Sequence, residues 1–169
     1  DEECDGEANC DANCTLVEVE RRLPCAPEVA DCPSLNWVRI DGGSFMMGSP
    51  EWVGENDERP QREVTVPTFW MMRSEVTVEQ YRACVNAGAC TAPNCNQGDE
   101  FYNWLSCNYA HNRETHPVNY VSWTQARAFG AWFGADLPTE AQWEFAARSR
   151  GQNITYPWGD QPPDCTHAD

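Results

Sequence analysis

The sequence predicts an irregular, disulfide-rich α+β fold made of three short helices and short antiparallel strands. Three observations predict it. Three segments open on one helix-start pattern, a hydroxyl residue followed three positions later by Gln. Several short runs are alternating or β-prone and are bounded by Gly, Pro or Asp. Ten cysteines in 169 residues form an even set, which at this density reads as disulfides in an oxidising compartment.

Taken in order, residues 1–32 form an acidic, cysteine-rich N-terminal segment. They hold five Cys (Cys4, Cys10, Cys14, Cys25 and Cys32), ten acids, two Arg and no aromatic residue. A stretch of that composition cannot make a core and has to be stapled or docked. Asp5, Glu7, Asn9, Asp11 and Asn13 place an oxygen side chain at every second residue, as calcium loops do. The mid-loop glycine is misplaced, so a plain disulfide-tied acidic segment is the reading preferred over a calcium site.

From Trp37 the pattern changes. Trp37-Val38-Arg39-Ile40 and Ser44-Phe45-Met46-Met47 read as two strands around an Asp41-Gly42-Gly43 turn. Glu63-Val64-Thr65-Val66 alternates and reads as a half-buried strand closed by Pro67. Residues 49–62 are polar and carry Pro and Gly, so they form a loop.

Thr77-Val78-Glu79-Gln80 starts a helix expected to run from Val78 to about Ala87, with Gly88 as its stop. Ser122-Trp123-Thr124-Gln125 starts a second, from Trp123 to Phe133. Trp123, Ala126, Phe129, Trp132 and Phe133 fall broadly on one face of it. Thr139-Glu140-Ala141-Gln142 starts a third, from Glu140 to about Ser149. Glu144 and Arg148 then lie four apart, as a small surface pair. Residues 89–120 are irregular. A loop of that length calls for cross-links, and Cys84, Cys90, Cys95 and Cys107 supply them. Of three possible pairings, Cys84–Cys90 and Cys95–Cys107 are preferred because both close short loops; a soft-metal site is the alternative. Cys165 brings the cysteines outside that local set to an even number. It would pair back to the N-terminal segment, bond another chain, or stay a free thiol.

The composition excludes some functions. The formal net charge is −16 and all eleven basic residues are Arg, so phosphate backbones and anionic membranes are repelled. No apolar run approaches the ~20 residues of a membrane span. No signal peptide is visible, and a processed N-terminus would account for that. Asn13-Cys14-Thr15 and Asn153-Ile154-Thr155 fit the N-glycosylation pattern. His111, His116 and His167 do not stand at zinc-site spacings from the cysteines, and His116, before Pro117, reads as structural.

Several motifs then occur in a fixed order. They are Gly-Gly-Ser-Phe-Met-Met-Gly-Ser (42–49), Glu58-Arg59-Pro60, Glu75-Val76-Thr77, His116-Pro117-Val118-Asn119, Leu137-Pro138-Thr139-Glu140-Ala141-Gln142-Trp143-Glu144 with Arg148, and Tyr156-Pro157-Trp158-Gly159. Together they resemble the formylglycine-generating enzyme, or sulfatase-modifying factor, family over about Trp37 to Asp160. The resemblance implies a C-type-lectin-like fold and makes residues 33–169 the N-terminal portion of such a domain. One departure is Ala135-Asp136, where the family often has a basic pair.

The resemblance also implies that the family's copper-binding cysteines and calcium-supporting residues lie beyond the Tyr-Pro-Trp-Gly motif. Copper and calcium are therefore expected on the remainder of the domain. No catalytic, cofactor or metal residue is assigned in this chain. Thr139, Glu140, Trp143, Glu144, Arg148 and Trp158 are assigned to the scaffold, with Trp123, Trp143 and Trp158 as packing groups. The expectation is an extracellular, cell-surface or periplasmic module, non-catalytic in this chain and serving binding or assembly. A second polypeptide is expected to complete the domain, with self-assembly as the other possibility. The alternative function is the half-scaffold of a copper-dependent oxidase that converts a substrate Cys to formylglycine.

Overall fold

The computed structural model describes residues 33–95 and 106–162. Cys4, Cys10, Cys14, Cys25, Cys32, Cys165, His167 and the Asp5-to-Asn13 alternation lie outside the described residues. The elements are β1 (Trp37–Ile40), β2 (Gly43–Met47), a 3₁₀ turn (Asn56–Glu58), β3 (Arg62–Val66), β4 (Phe69–Met72), α1 (Val78–Asn86), α2 (Trp123–Trp132) and α3 (Glu140–Ala147). None of the helices in the described residues is long and apolar enough to cross a membrane.

The strands form two two-stranded sheets, β1 with β4 and β2 with β3. β2 and β3 run antiparallel in a register that sets Phe45 opposite Val64 and Gly43 opposite Val66. The expected hairpin between β1 and β2 is therefore corrected. The Asp41-Gly42 corner turns the chain from one sheet to the other, and the Gly42 N–H donates to Thr68 Oγ1 at 3.1 Å instead of closing a turn. β4 carries no alternation, since all four residues are half-buried, and periodicity cannot find such a strand.

All three helix starts carry a complete capping box. Thr77, Ser122 and Thr139 accept from the N–H groups of Gln80, Gln125 and Gln142, and each Gln reaches back to its cap. Each box satisfies two of the N-terminal N–H groups that a helix leaves open. α1 stops one residue before the expected end. Gly88 follows with φ +74°, the left-handed conformation a helix-ending glycine supplies.

The described residues divide into two compact units, 33–38 with 72–95 and 106–137, and 39–71 with 138–162. In the first, Tyr81 stacks on Phe129 at 5.7 Å and Phe129 meets Phe133 at 5.0 Å. Val78 and the disulfides Cys84–Cys90 and Cys95–Cys107 are buried in the same unit. Gln125 is buried, and its amide donates to Ala92 O at 2.7 Å and Thr91 Oγ1 at 3.1 Å. The helix face is thus corrected. Gln125 faces inward to satisfy the 91–92 backbone, while Trp123 is 65% exposed under the Arg127 guanidinium, 5.1 Å from its ring. Asp136, at the family departure, holds Arg127 through two oxygens, both at 2.8 Å, and accepts the Leu137 N–H.

In the second unit the core is Phe45, Met47, Val66 and Phe145, flanked by Ile40, Val64, Phe69 and Ala141. Phe45 and Phe145 meet edge to face at 5.4 Å. Alternation along β2 puts Phe45 and Met47 inside and leaves Ser44 and Met46 outside.

Candidate functional site

The second unit holds a groove of about 980 Å³. One wall is α3. Thr139 starts the helix, and helical spacing then sets Glu140, Trp143 and Glu144 on adjoining positions of one surface. The opposite wall is the end of β2 and the following loop, with Gly48 and Ser49 on one strand side and Pro60 to Arg62 on the other.

A network centred on Glu144 and Arg148 joins the walls. Glu144 Oε1 accepts the Gly48 N–H at 3.0 Å and an Arg148 N–H at 2.9 Å. Arg148 also donates to Met46 O at 2.8 Å and Gln152 O at 3.1 Å, and lies over the Phe45 ring. Gln61 Nε2 donates to Gly48 O at 3.1 Å. Both charged side chains are mostly buried, at 23% and 18% exposed, so the pair is more than the small surface interaction the spacing suggests. Its role is to tie the main chain at the end of β2, at Met46 and Gly48, to α3 and the turn after it at Gln152.

What faces the groove is different in kind. Trp143 is 62% exposed, and Asp57 and Glu140 are exposed on the lining. At the far end Asp160 accepts the Thr155 N–H and Oγ1–H, both at 2.9 Å. Those two bonds, the backbone one first, hold the Asp160 carboxyl below its ordinary range. Trp158 is 37% exposed; it stacks on Tyr156 at 5.3 Å, and its Nε1–H donates to Gln161 O. The expectation that Trp123 and Trp143 are packing groups is corrected, since both rings are exposed; Trp158, which does not line the groove, packs on Tyr156.

Thr139, Glu140, Trp143, Glu144 and Arg148 all line this one groove. Gly48 and Gln61 complete its wall. In the sequence Gly48 stands only as part of the 42–49 motif, and nothing there marks Gln61 as its partner. Cys84, Cys90, Cys95 and Cys107 are in the first unit, bonded in the two short loops. His116 acts there through its main chain, its carbonyl accepting the Val78 N–H at 2.9 Å. Among the described residues no group of three His, Cys, Asp or Glu is placed to hold a metal ion. The arrangement can bind, through an indole face and carboxylates over a rigid wall.

Comparison with known proteins agrees with this architecture. The sequence profile described as "Sulfatase-modifying factor enzyme 1-like domain" matches residues 25–169. The inactive C-alpha-formylglycine-generating enzyme 2 of Bos taurus is 32% identical over 79% of this chain and 56% of its own. The formylglycine-generating enzyme of Thermomonospora curvata is 31% identical over 85% of this chain and 57% of its own. The chain thus spans about half the length of such relatives. The solved structure of PvdO from Pseudomonas aeruginosa superposes with a TM-score of 0.51 at 23% identity, over 69% of this chain and 48% of that one.

Proposed function

Since the chain belongs to the sulfatase-modifying factor enzyme 1-like family, with its C-type-lectin-like fold, we propose that it serves as a non-catalytic binding or assembly module of that fold. The observation that carries the reading is the division of labour in the groove. Glu144 and Arg148 are engaged with main-chain groups and each other, while Trp143 is left 62% exposed above them. Ligand sites are built that way, with a fixed polar frame and an exposed aromatic face. Support comes also from a relative named as inactive at an identity similar to that of one named as an enzyme.

In this reading the module works outside the cytoplasm, in the extracellular space, at a cell surface or in a periplasm. The support is its two described disulfides, which persist in oxidising compartments. Copper and calcium, if the whole protein uses them, belong in this reading to the remainder of the domain.

The test is native mass spectrometry of the whole protein isolated from its own source, wild type beside Trp143→Ala. The wild type is expected to carry a non-covalent mass that activation releases, and the variant to lack it. Trp143 is exposed, so its truncation leaves the fold intact. A bare wild type, or a mass retained equally by both proteins, overturns the reading.

A further inference from the structure

We propose that the loop from Ser49 to Gln61 is a second docking element, an anchor that inserts Trp52 into a basic-rimmed recess of another polypeptide. It goes beyond the groove reading: the loop's inner residues, Asp57 among them, line that groove, while Trp52, Glu51 and Glu55 do not. Trp52 is 90% exposed, the most exposed large apolar side chain among the described residues, and Val53 beside it is 56% exposed. A bulky residue at a loop tip has no packing reason to be there. Trp52 also holds φ +72°, a conformation costing an L-residue about 1–2 kcal/mol, and such outliers persist only where the surroundings impose them.

Here the surroundings do impose it. The Val53 N–H closes a turn on Pro50 O at 3.2 Å. The Arg59 guanidinium reaches into the loop and donates to Val53 O at 3.3 Å and Gly54 O at 3.0 Å. The Ser49 N–H donates to Glu58 O at 3.0 Å, and the Ser49 hydroxyl to the Glu58 carboxylate. The loop is therefore built before any partner arrives, which lowers the ordering cost of binding. A Trp projected from a fixed base, beside a hollow of about 550 Å³ that it helps to line, has the form of an interface anchor.

Charge selects the partner. Glu51, Glu55, Asp57 and Glu58 surround the tip and are exposed. The one cation of the loop before position 62, Arg59, is turned inward onto carbonyls. A second copy of this chain, at net charge −16, and an anionic membrane are both repelled. An apolar recess rimmed by Arg or Lys is complementary, and its guanidinium groups also suit the indole face.

The experiment selects a displayed random peptide library on the whole protein and measures the resynthesised peptides in solution. Trp52→Gly and Trp52→Asn both tolerate the left-handed backbone, so each keeps the loop while removing the ring. The selected peptides are expected to combine apolar residues with Arg or Lys. Their affinity is expected to fall about tenfold or more in both variants, to fall in Glu51→Gln/Glu55→Gln, and to weaken with added salt. Peptides that lack cations, or that bind the Trp52 variants as tightly as wild type, overturn the proposal. So does Trp52-dependent binding to zwitterionic vesicles, or Trp52-dependent self-association, without any cationic peptide being selected.

Discussion

Glu144 accepts two hydrogen bonds through one oxygen, from the Gly48 N–H and from Arg148. Removing it leaves a half-buried main-chain donor and a guanidinium without their acceptor. Glu144→Ala is therefore expected to cost about 1–3 kcal/mol in denaturant unfolding, against the few tenths of an exposed helix pair; a loss near zero would show the network to be ornamental. Gly151 makes a second prediction. It holds φ +77°, and a Cβ there would stand 2.3 Å from Phe45 Cβ. Gly151→Ala should cost about 2–4 kcal/mol, from left-handed strain plus overpacking. Gly88→Ala, at φ +74° with nothing within 4 Å, should cost about 1–2 kcal/mol, from the strain alone. Equal losses would contradict the packing shown around Gly151. Acid gives a third. Hydrogen bonds from Arg127, then from the Leu137 N–H, hold the Asp136 carboxyl below its ordinary value of 3.8. A depressed carboxyl contributes stability that is complete above the unfolded pKa and is lost as pH falls through the folded one. The unfolding midpoint should hold steady above about pH 5 and drop below 3.8, with a smaller drop in Asp136→Asn. An identical acid profile for the variant would contradict it.

At the scale of elements, the three capping boxes and two disulfides are the local devices that define the secondary structure. Ser122→Ala and Thr139→Ala are each expected to cost about 1 kcal/mol. Replacing Cys95 and Cys107 by Ser should cost about 3 kcal/mol, through the freed loop of the unfolded chain; unfolding midpoints read both, and an unchanged midpoint refutes either. These devices were legible because they are local: a hydroxyl and a Gln three apart, or two cysteines closing a short loop, state their own geometry. Strand partners were not. β2 lies beside β3, and β1 beside β4, because apolar faces select partners across the unit, and alternation along one strand records only which face is buried. Gln125 misleads for the converse reason. A polar residue reads as exposed, yet its amide is the group that can satisfy the carbonyls of Thr91 and Ala92.

At the scale of the whole molecule, the motif residues of α3 were legible as a set but not as a wall. Thr139, Glu140, Trp143, Glu144 and Arg148 share one groove only because the β2 end meets the helix there, a contact of residues 96 apart between Gly48 and Glu144. Reading Trp123 and Trp143 as packing groups failed since ring size indicates buried area, not where the ring is used, while Trp37 is buried; Trp143 and Trp52 are exposed and carry the two binding proposals. Relatives named as a formylglycine-generating enzyme and as an inactive one are similar to this chain at nearly equal identity, so the proposed reading of this protein as non-catalytic is the central claim. Its most direct measurement is to incubate the whole copper-supplemented protein in air with a Cys-containing peptide and an excess of a thiol reductant, which keeps the peptide Cys reduced and supplies the two electrons that oxygen needs for turnover, and to probe the peptide for an aldehyde. The account predicts a peptide of unchanged mass and no aldehyde. A copper-dependent aldehyde that accumulates with repeated turnover would contradict it and make the groove part of an enzyme.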